Sequence, residues 1–255
     1  MIGVEKIKIA DVPLLHIAQQ AQWNDELPFV IFNHGFTSRM EFNLHYAYLL
    51  AEKGFRVVLP GALYHGERNA GQDGYKLSLH FWDIVLQTIE ELEIIKESFE
   101  DKNIIDPKRI GVVGTSMGGI VTLGALVKYP WIKAAVSLMG NPHYEKFSGM
   151  QIDELKKKGY EIPLSERELS QLRDRLRDYD LSLQPEKLNG RPLLFWHGEK
   201  DPVVPFKPTY HFYETIIPLY QENPEKLKFI RDSHAGHKVS AAGVLETVKW
   251  FETYL

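Results

Sequence analysis

GVVGTSMGGIVTLGAL, residues 111–126, sets one serine between glycines, just after one apolar run and just before another. The spacing Gly114-Thr115-Ser116-Met117-Gly118 satisfies G-x-S-x-G, a pattern that means little outside its context. The context here is specific. The apolar run RIGVVG (109–114) enters the serine, and MGGIVTLGALVKY (117–129) leaves it with Ile120, Leu123 and Val127 on one helical face. A strand, a sharp turn and a helix are what a nucleophile elbow requires. Such a turn strains the backbone at Ser116. Gly114 and Gly118 let neighbouring segments approach without a Cβ in the way, and Gly119 adds room. The elbow also aims the amide of Met117, at the helix N-terminus, towards a place where negative charge can develop.

Outward from the elbow, short apolar runs alternate with longer amphipathic ones. PFVIFNHG (28–35), FRVVLPG (55–61), RIGVVGTS (109–116), IKAAVSLMG (132–140) and RPLLFWHG (191–198) each stop at glycine or a small polar residue. They suit strands buried on both faces of a parallel sheet. Helical patterns occupy 39–53, 78–100, 117–129, 206–221 and 238–254, the last with Val244, Leu245, Val248, Phe251 and Leu255 on one face. Two strands at about 4–9 and 12–18, joined by Asp11-Val12-Pro13, read as an antiparallel hairpin ahead of the alternation, and 226–232 reads as a final strand. The fold class is therefore α/β: an open, mostly parallel sheet with helices on both faces, in one domain of 255 residues. One segment breaks the rhythm. From about 141 to 189 the chain is charged and helical with no strand-like run, which predicts a helical cap over the strand ends, with Leu155, Leu164, Leu169, Leu172 and Leu176 as its inner face.

Bulk properties narrow the function. Hydrophobic residues make up 44% and charged residues 25%, enough to bury a substantial core. The net charge of −4, with acids and bases interspersed, gives no footprint for nucleic acid. No stretch approaches the roughly 20 apolar residues of a membrane span, and the N-terminus MIGVEKIKIADV lacks the basic and apolar regions of a signal peptide. With no cysteine, thiol catalysis, disulfides and cysteine-held metals are excluded, and a cytoplasmic location is the expectation. The pair His234-x-x-His237 lacks the carboxylate partner of a metal site, so neither metal nor cofactor is expected.

A serine hydroxyl needs a base to take its proton and an acid to orient that base. In this architecture they follow in the order Ser, Asp or Glu, His. Glu199 and Asp201 lie in EKDPVVP just after the strand at 191–198, and His234 and His237 lie in SHAGHKV just after 226–232. We assign Asp201 and His237, with Glu199 and His234 as rivals. His237 follows Gly236, which frees the backbone to place the imidazole, and it stands just ahead of the final helix. A second amide for the oxyanion is expected from the loop FNHGFTS, as the N–H of Phe36, with Gly35 permitting the bend and His34 bracing the loop. His65, with Glu67 and Arg68, either meets a polar group of the substrate or belongs to a structural ion pair. His143 and Tyr144, which open the cap, are candidates for lining the pocket, and His80 reads as a packed helix residue.

The set HGFTS, GTSMGG, HGEKDPVVP and AGHKV, in this order, resembles the α/β-hydrolase superfamily over essentially the whole chain. More narrowly it resembles small bacterial serine carboxylesterases near the dienelactone-hydrolase and prolyl-oligopeptidase-like branch, in which a stretch like ALYHGERN (62–69) lies near the active-site mouth. Serine rather than cysteine at the elbow departs from the dienelactone hydrolases. The resemblance implies hydrolysis of a small-molecule ester through Ser116, His237 and Asp201, and the cap predicts a modest pocket that favours short acyl chains. A small peptidase or amidase, or a ligand-sensing hydrolase fold without turnover, would keep the same motifs. A prolyl-oligopeptidase-type peptidase usually carries an additional large domain that 255 residues do not accommodate.

Overall fold

A computed structural model describes residues 1–72 and 74–255. Eight strands form one sheet: β1 (Ile2–Ile9), β2 (Val12–Gln19), β3 (Leu27–Asn33), β4 (Arg56–Pro60), β5 (Ile105–Thr115), β6 (Ala134–Leu138), β7 (Leu193–Gly198) and β8 (Leu227–Asp232), in the spatial order β1-β2-β4-β3-β5-β6-β7-β8. β1 and β2 form the expected antiparallel hairpin, β2 joins β4 antiparallel, and every pairing from β4 through β8 is parallel.

Parallel strands need crossover helices, and the chain supplies α1 (Leu44–Glu52), α2 (Gly74–Leu79), α3 (Phe81–Glu100), α4 (Met117–Lys128), α7 (Phe206–Ile216) and α8 (Ala241–Tyr254). α5 (Tyr144–Lys157) and α6 (Glu166–Arg177) lie in the insertion after β6. Strand side chains alternate between the two faces. Phe29, Ile31 and Val112 pack with α3, α4 and α7, while Val30, Phe32 and Val113 pack with α1 and α8. Both faces are covered, which is why these strands read as continuous apolar runs.

Four elements differ from the sequence pattern. β5 begins at Ile105 rather than near 109. Leu27 pairs with Ile105 and Phe29 already with Ile110, so residues 106–109 bulge out of register, with Asp106 accepting from the Lys108 amide and from Arg109 Nε. The helix expected over 78–100 is divided at His80 into α2 and α3. The helices expected over 39–53 and 206–221 each include a 3₁₀ turn, Met40–Asn43 before α1 and Ile217–Tyr220 after α7, where Pro218 cannot donate.

In the insertion, Ser165 caps α6 in a reciprocal pairing with Glu168. Leu169 and Leu176 are buried, Leu155 and Leu172 partly so, and Leu164 is exposed. Phe147 and Tyr144 on α5 pack on Trp82 of α3. The insertion is thus seated against the N-terminal end of α3.

The tightest packing surrounds the start of α4. A Cβ added to Gly118 would lie 2.0 Å from the carbonyl oxygen of Asn33, and one added to Gly114 would lie 2.4 Å from the Gly118 carbonyl carbon. Gly118→Ala is therefore expected to lower stability by at least the upper end of the roughly 1–3 kcal/mol of overpacked cores, because backbone rather than a side chain must give way. Denaturant unfolding with an unchanged midpoint would contradict this.

Candidate active site

Ser116 stands between β5 and α4 with φ +53° and ψ −115°, a conformation that costs a non-glycine residue on the order of 1–3 kcal/mol. Its amide donates to the Leu138 carbonyl at 2.8 Å, at the end of β6. Gly119 packs against that same strand end: a Cβ there would lie 2.9 Å from Leu138 O. The serine is therefore held from both sides, raised at the carboxyl edge of the sheet.

His237 lies in the loop between β8 and α8. Its Nε2 accepts from the Ser116 hydroxyl at 2.8 Å, and its Nδ1–H donates to Asp201 Oδ2 at 2.7 Å. The loop is shaped by Asp232, whose Oδ1 accepts from the amides of His234 and Ala235. It is pressed so closely on the end of β7 that a Cβ at Gly198 would lie 2.4 Å from Gly236 O.

Asp201 is buried beyond β7, and its Oδ1 accepts from the amides of Val203 and Val204 at 2.8 and 3.0 Å. Burial by itself would raise this carboxyl. The close approach of His197, with the hydrogen bonds from His237 and the two amides, outweighs it and holds Asp201 well below the usual carboxylate range, so it is ionised at neutral pH. The rivals lie elsewhere. Glu199 pairs with Arg231 at 2.7 Å, and His234 is exposed.

His197 is a site residue that sequence reading missed. It is fully buried, donates from Nε2 to Val204 O at 2.9 Å, and lies 3.5 Å from Asp201 Oδ2. The available signal was a histidine inside an apolar strand, where a polar ring requires a partner.

The loop after β3 abuts the elbow: a Cβ at Gly35 would lie 3.4 Å from Thr115 O and 3.5 Å from Ser116 Cβ. Phe36, the next residue, and Met117, the first of α4, thus flank Ser116. His34 braces the loop, donating from Nδ1 to Gly35 O at 2.8 Å and accepting from the Ala62 amide at 3.0 Å. Burial lowers its pKa to about 4, the bond to Gly35 partly opposing, and so keeps the ring neutral.

The residues expected to touch substrate are placed differently. Tyr144 has no exposed surface; its hydroxyl sits over Gly124 and donates to Ile120 O at 2.5 Å, which makes it a strut between α5 and α4 and removes it from the pocket. His65 is likewise buried, with both ring nitrogens bonded to backbone, and so does not face a substrate. Arg68 grips Glu91 with two bonds of 2.8 and 2.7 Å, and Glu67 pairs with Lys6. That is the ion-pair reading of this stretch. His143 is half-buried, donating from Nε2 to Pro208 O at 3.2 Å. His80, at the junction of α2 and α3, packs on Tyr64 with its ring partly exposed.

A cleft of about 740 Å³ opens between that junction and α6, with Leu79, Trp82, Leu164 and Leu172 among its walls. Phe81, beside Trp82, packs on Phe36 at 5.3 Å between ring centres. Among the described residues, no group of three or more histidine or acidic side chains could hold a metal ion, and no helix is long and apolar enough to cross a membrane.

The model of the prolyl oligopeptidase family matches residues 40–255. The chain belongs to that family. Its likeness to one curated relative, named "Putative esterase YitV" from Bacillus subtilis (strain 168), is 56% identity over 255 residues, all of both chains. "Esterase YjfP" from Escherichia coli (strain K12) is 33% identical over 205 residues, 80% of this chain and 81% of that one. Among solved structures, that of TT1662 from Thermus thermophilus superposes with a TM-score of 0.77 at 19% identity, covering 99% of this chain and 98% of the other. The last is a likeness of fold, the α/β-hydrolase fold, in this member of the prolyl oligopeptidase family.

The strut role of Tyr144 is testable. Tyr144→Phe is expected to cost about 1 kcal/mol, the usual net worth of one buried hydrogen bond, without altering the far-ultraviolet circular dichroism. A variant as stable as the wild type would contradict it.

Proposed function

We propose that the chain is a serine carboxylesterase acting on small-molecule esters. The observation that supports this best is the unbroken run of hydrogen bonds Asp201–His237–Ser116, ending at a serine held in a strained turn. Relatives named esterases, one of them alike over the full length of both chains, favour an ester over a peptide.

His237 Nε2 takes the Ser116 proton as Oγ attacks the ester carbonyl carbon. The carbonyl π electrons move to oxygen, and the amides of Phe36 and Met117 donate to the resulting oxyanion. Collapse expels the alkoxide, which takes the proton from His237, and leaves an acyl group on Ser116. Water, deprotonated by the same histidine, releases the acid and restores the serine. Asp201 keeps Nδ1 protonated, so that Nε2 presents its lone pair to Ser116, and it offsets the charge of the imidazolium. No step calls for a metal or cofactor.

The α5–α6 insertion acts as a cap, with Leu164 and Leu172 in the wall of the cleft beside it, and the acyl chain it admits is short. The absence of cysteine favours work in the reducing cytoplasm.

Ser116→Ala is expected to lower kcat by on the order of a million-fold, and a fluorophosphonate probe to label Ser116 alone; stoichiometric labelling of another serine would overturn the assignment. Asp201→Asn is expected to lose roughly ten-thousand-fold through the wrong histidine tautomer, while Glu199→Gln changes little. If the two results were exchanged, Glu199 would be the acid. Across a series of p-nitrophenyl esters, kcat/KM is expected to peak at short acyl chains, and a steady rise to long ones would exclude the short-chain preference.

A further inference from the structure

The stretch from Ala62 to Arg68, between β4 and α2, takes no part in the steps above, yet its contacts converge on the loop that carries the Phe36 amide. Thr37, the residue after Phe36, has φ +60°, the left-handed region that β-branched residues avoid. Its amide donates to His65 Nε2 at 3.0 Å, and His65 Nδ1–H donates to Leu63 O at 2.8 Å, which fixes the ring tautomer. In the opposite direction, the Ala62 amide donates to His34 Nε2. Two histidines thus clasp the two loops reciprocally, their ring centres 5.2 Å apart, and the Phe36 ring meets the His65 ring at 5.5 Å.

The clasp has a rigid base. Arg68 holds the buried Glu91 of α3 in a two-pronged pair and also donates to Gly61 O at 3.0 Å. Both ends of the segment bearing His65 are therefore tied to the core.

We propose that His65 is a positioning residue: by accepting from the Thr37 amide it fixes the neighbouring Phe36 amide at the height where the oxyanion forms above Ser116. This rests on the serine-esterase reading above. Oxyanion donors act by being in place before the charge develops, and a displacement of about 1 Å can cost roughly a hundred-fold in rate. Only an unprotonated Nε2 can accept from Thr37, and burial holds His65 below the ordinary histidine pKa, the bond to Leu63 partly opposing.

The test compares His65→Leu, which removes the acceptor, with His65→Gln, whose Oε1 can still accept from Thr37; Ser116→Ala is the control. Each is assayed for p-nitrophenyl acetate hydrolysis, for inhibition by a boronic acid that forms a tetrahedral adduct on serine, and for circular dichroism. Where leucine is not tolerated by the fold, His65→Asn, polar but too short to reach, takes its place. The acceptor-free variant is expected to lose roughly ten- to a hundred-fold in kcat with KM within about twofold. Boronate binding should weaken in step with kcat, and His65→Gln should recover most of both. A wild-type kcat, a loss confined to KM with boronate binding intact, or no recovery in His65→Gln would overturn the proposal. Hydrolysis that survives Ser116→Ala would instead overturn the esterase reading. If only Ser116→Ala is inactive and His65→Leu is unimpaired, the clasp alone fails.

Discussion

The geometry of the whole site depends on how closely backbone meets backbone around the first turn of α4. Gly118 lies against the Asn33 carbonyl of β3, Gly114 against Gly118, and Gly119 against the end of β6. No side chain fits in these gaps. β3, β5 and β6 are adjacent parallel strands, so the turn that leaves β5 is pinched between the ends of its two neighbours. That pinch forces Ser116 into a positive φ, raises its hydroxyl above the sheet and starts a helix at Met117. The strain at one residue is sustained by the pairing of three strands.

A second constraint follows from the parallel sheet. All its connections from one end emerge together, so the loops after β3, β5, β7 and β8 bring residues far apart in sequence to one edge. Each loop is then stiffened by close contacts, within itself after β7 and to the adjoining segment after β3 and β8. The His237 loop is stacked on Gly198, Asp201 is held by Val203, Val204 and His197, and the 34–37 loop is clasped to 62–65. The proposed nucleophile, base and acid are thus fixed by backbone contacts and buried hydrogen bonds that were in place before any substrate arrives. An ionised Asp201 at the buried end of this chain is stable only because three donors, His237 and the amides of Val203 and Val204, converge on it.

Much of this was legible in the sequence, and the reasons are physical. Strands buried on two faces must be apolar throughout, so β3 to β7 stood out. The elbow's glycines stood out because only they permit the approach just described. The chain order of Ser116, Asp201 and His237 was legible because topology sets it. What was not legible depends on contacts across the fold. Tyr144 reads as a pocket-lining residue until Gly124 is seen to leave a space for its hydroxyl. His65 reads as a polar mouth residue until both its nitrogens are seen on backbone. β5 extends through an Asp-Pro-Lys-Arg stretch that no strand pattern contains, because the strand bulges there against β3. The break at His80 also left no mark, since α2 and α3 share one helical periodicity.

The central claim is that Ser116 carries the acyl group between two half-reactions. The most direct measurement is rapid chemical quenching of the wild-type enzyme during turnover of p-nitrophenyl acetate, followed by peptide mapping by mass spectrometry. The account predicts a transient acetyl group on the peptide containing Ser116, at the residue itself, which accumulates within the first turnover and decays as substrate is exhausted. Turnover with no acylated peptide under conditions where the first product appears in a stoichiometric burst, or an acetyl group on any other residue, would contradict it.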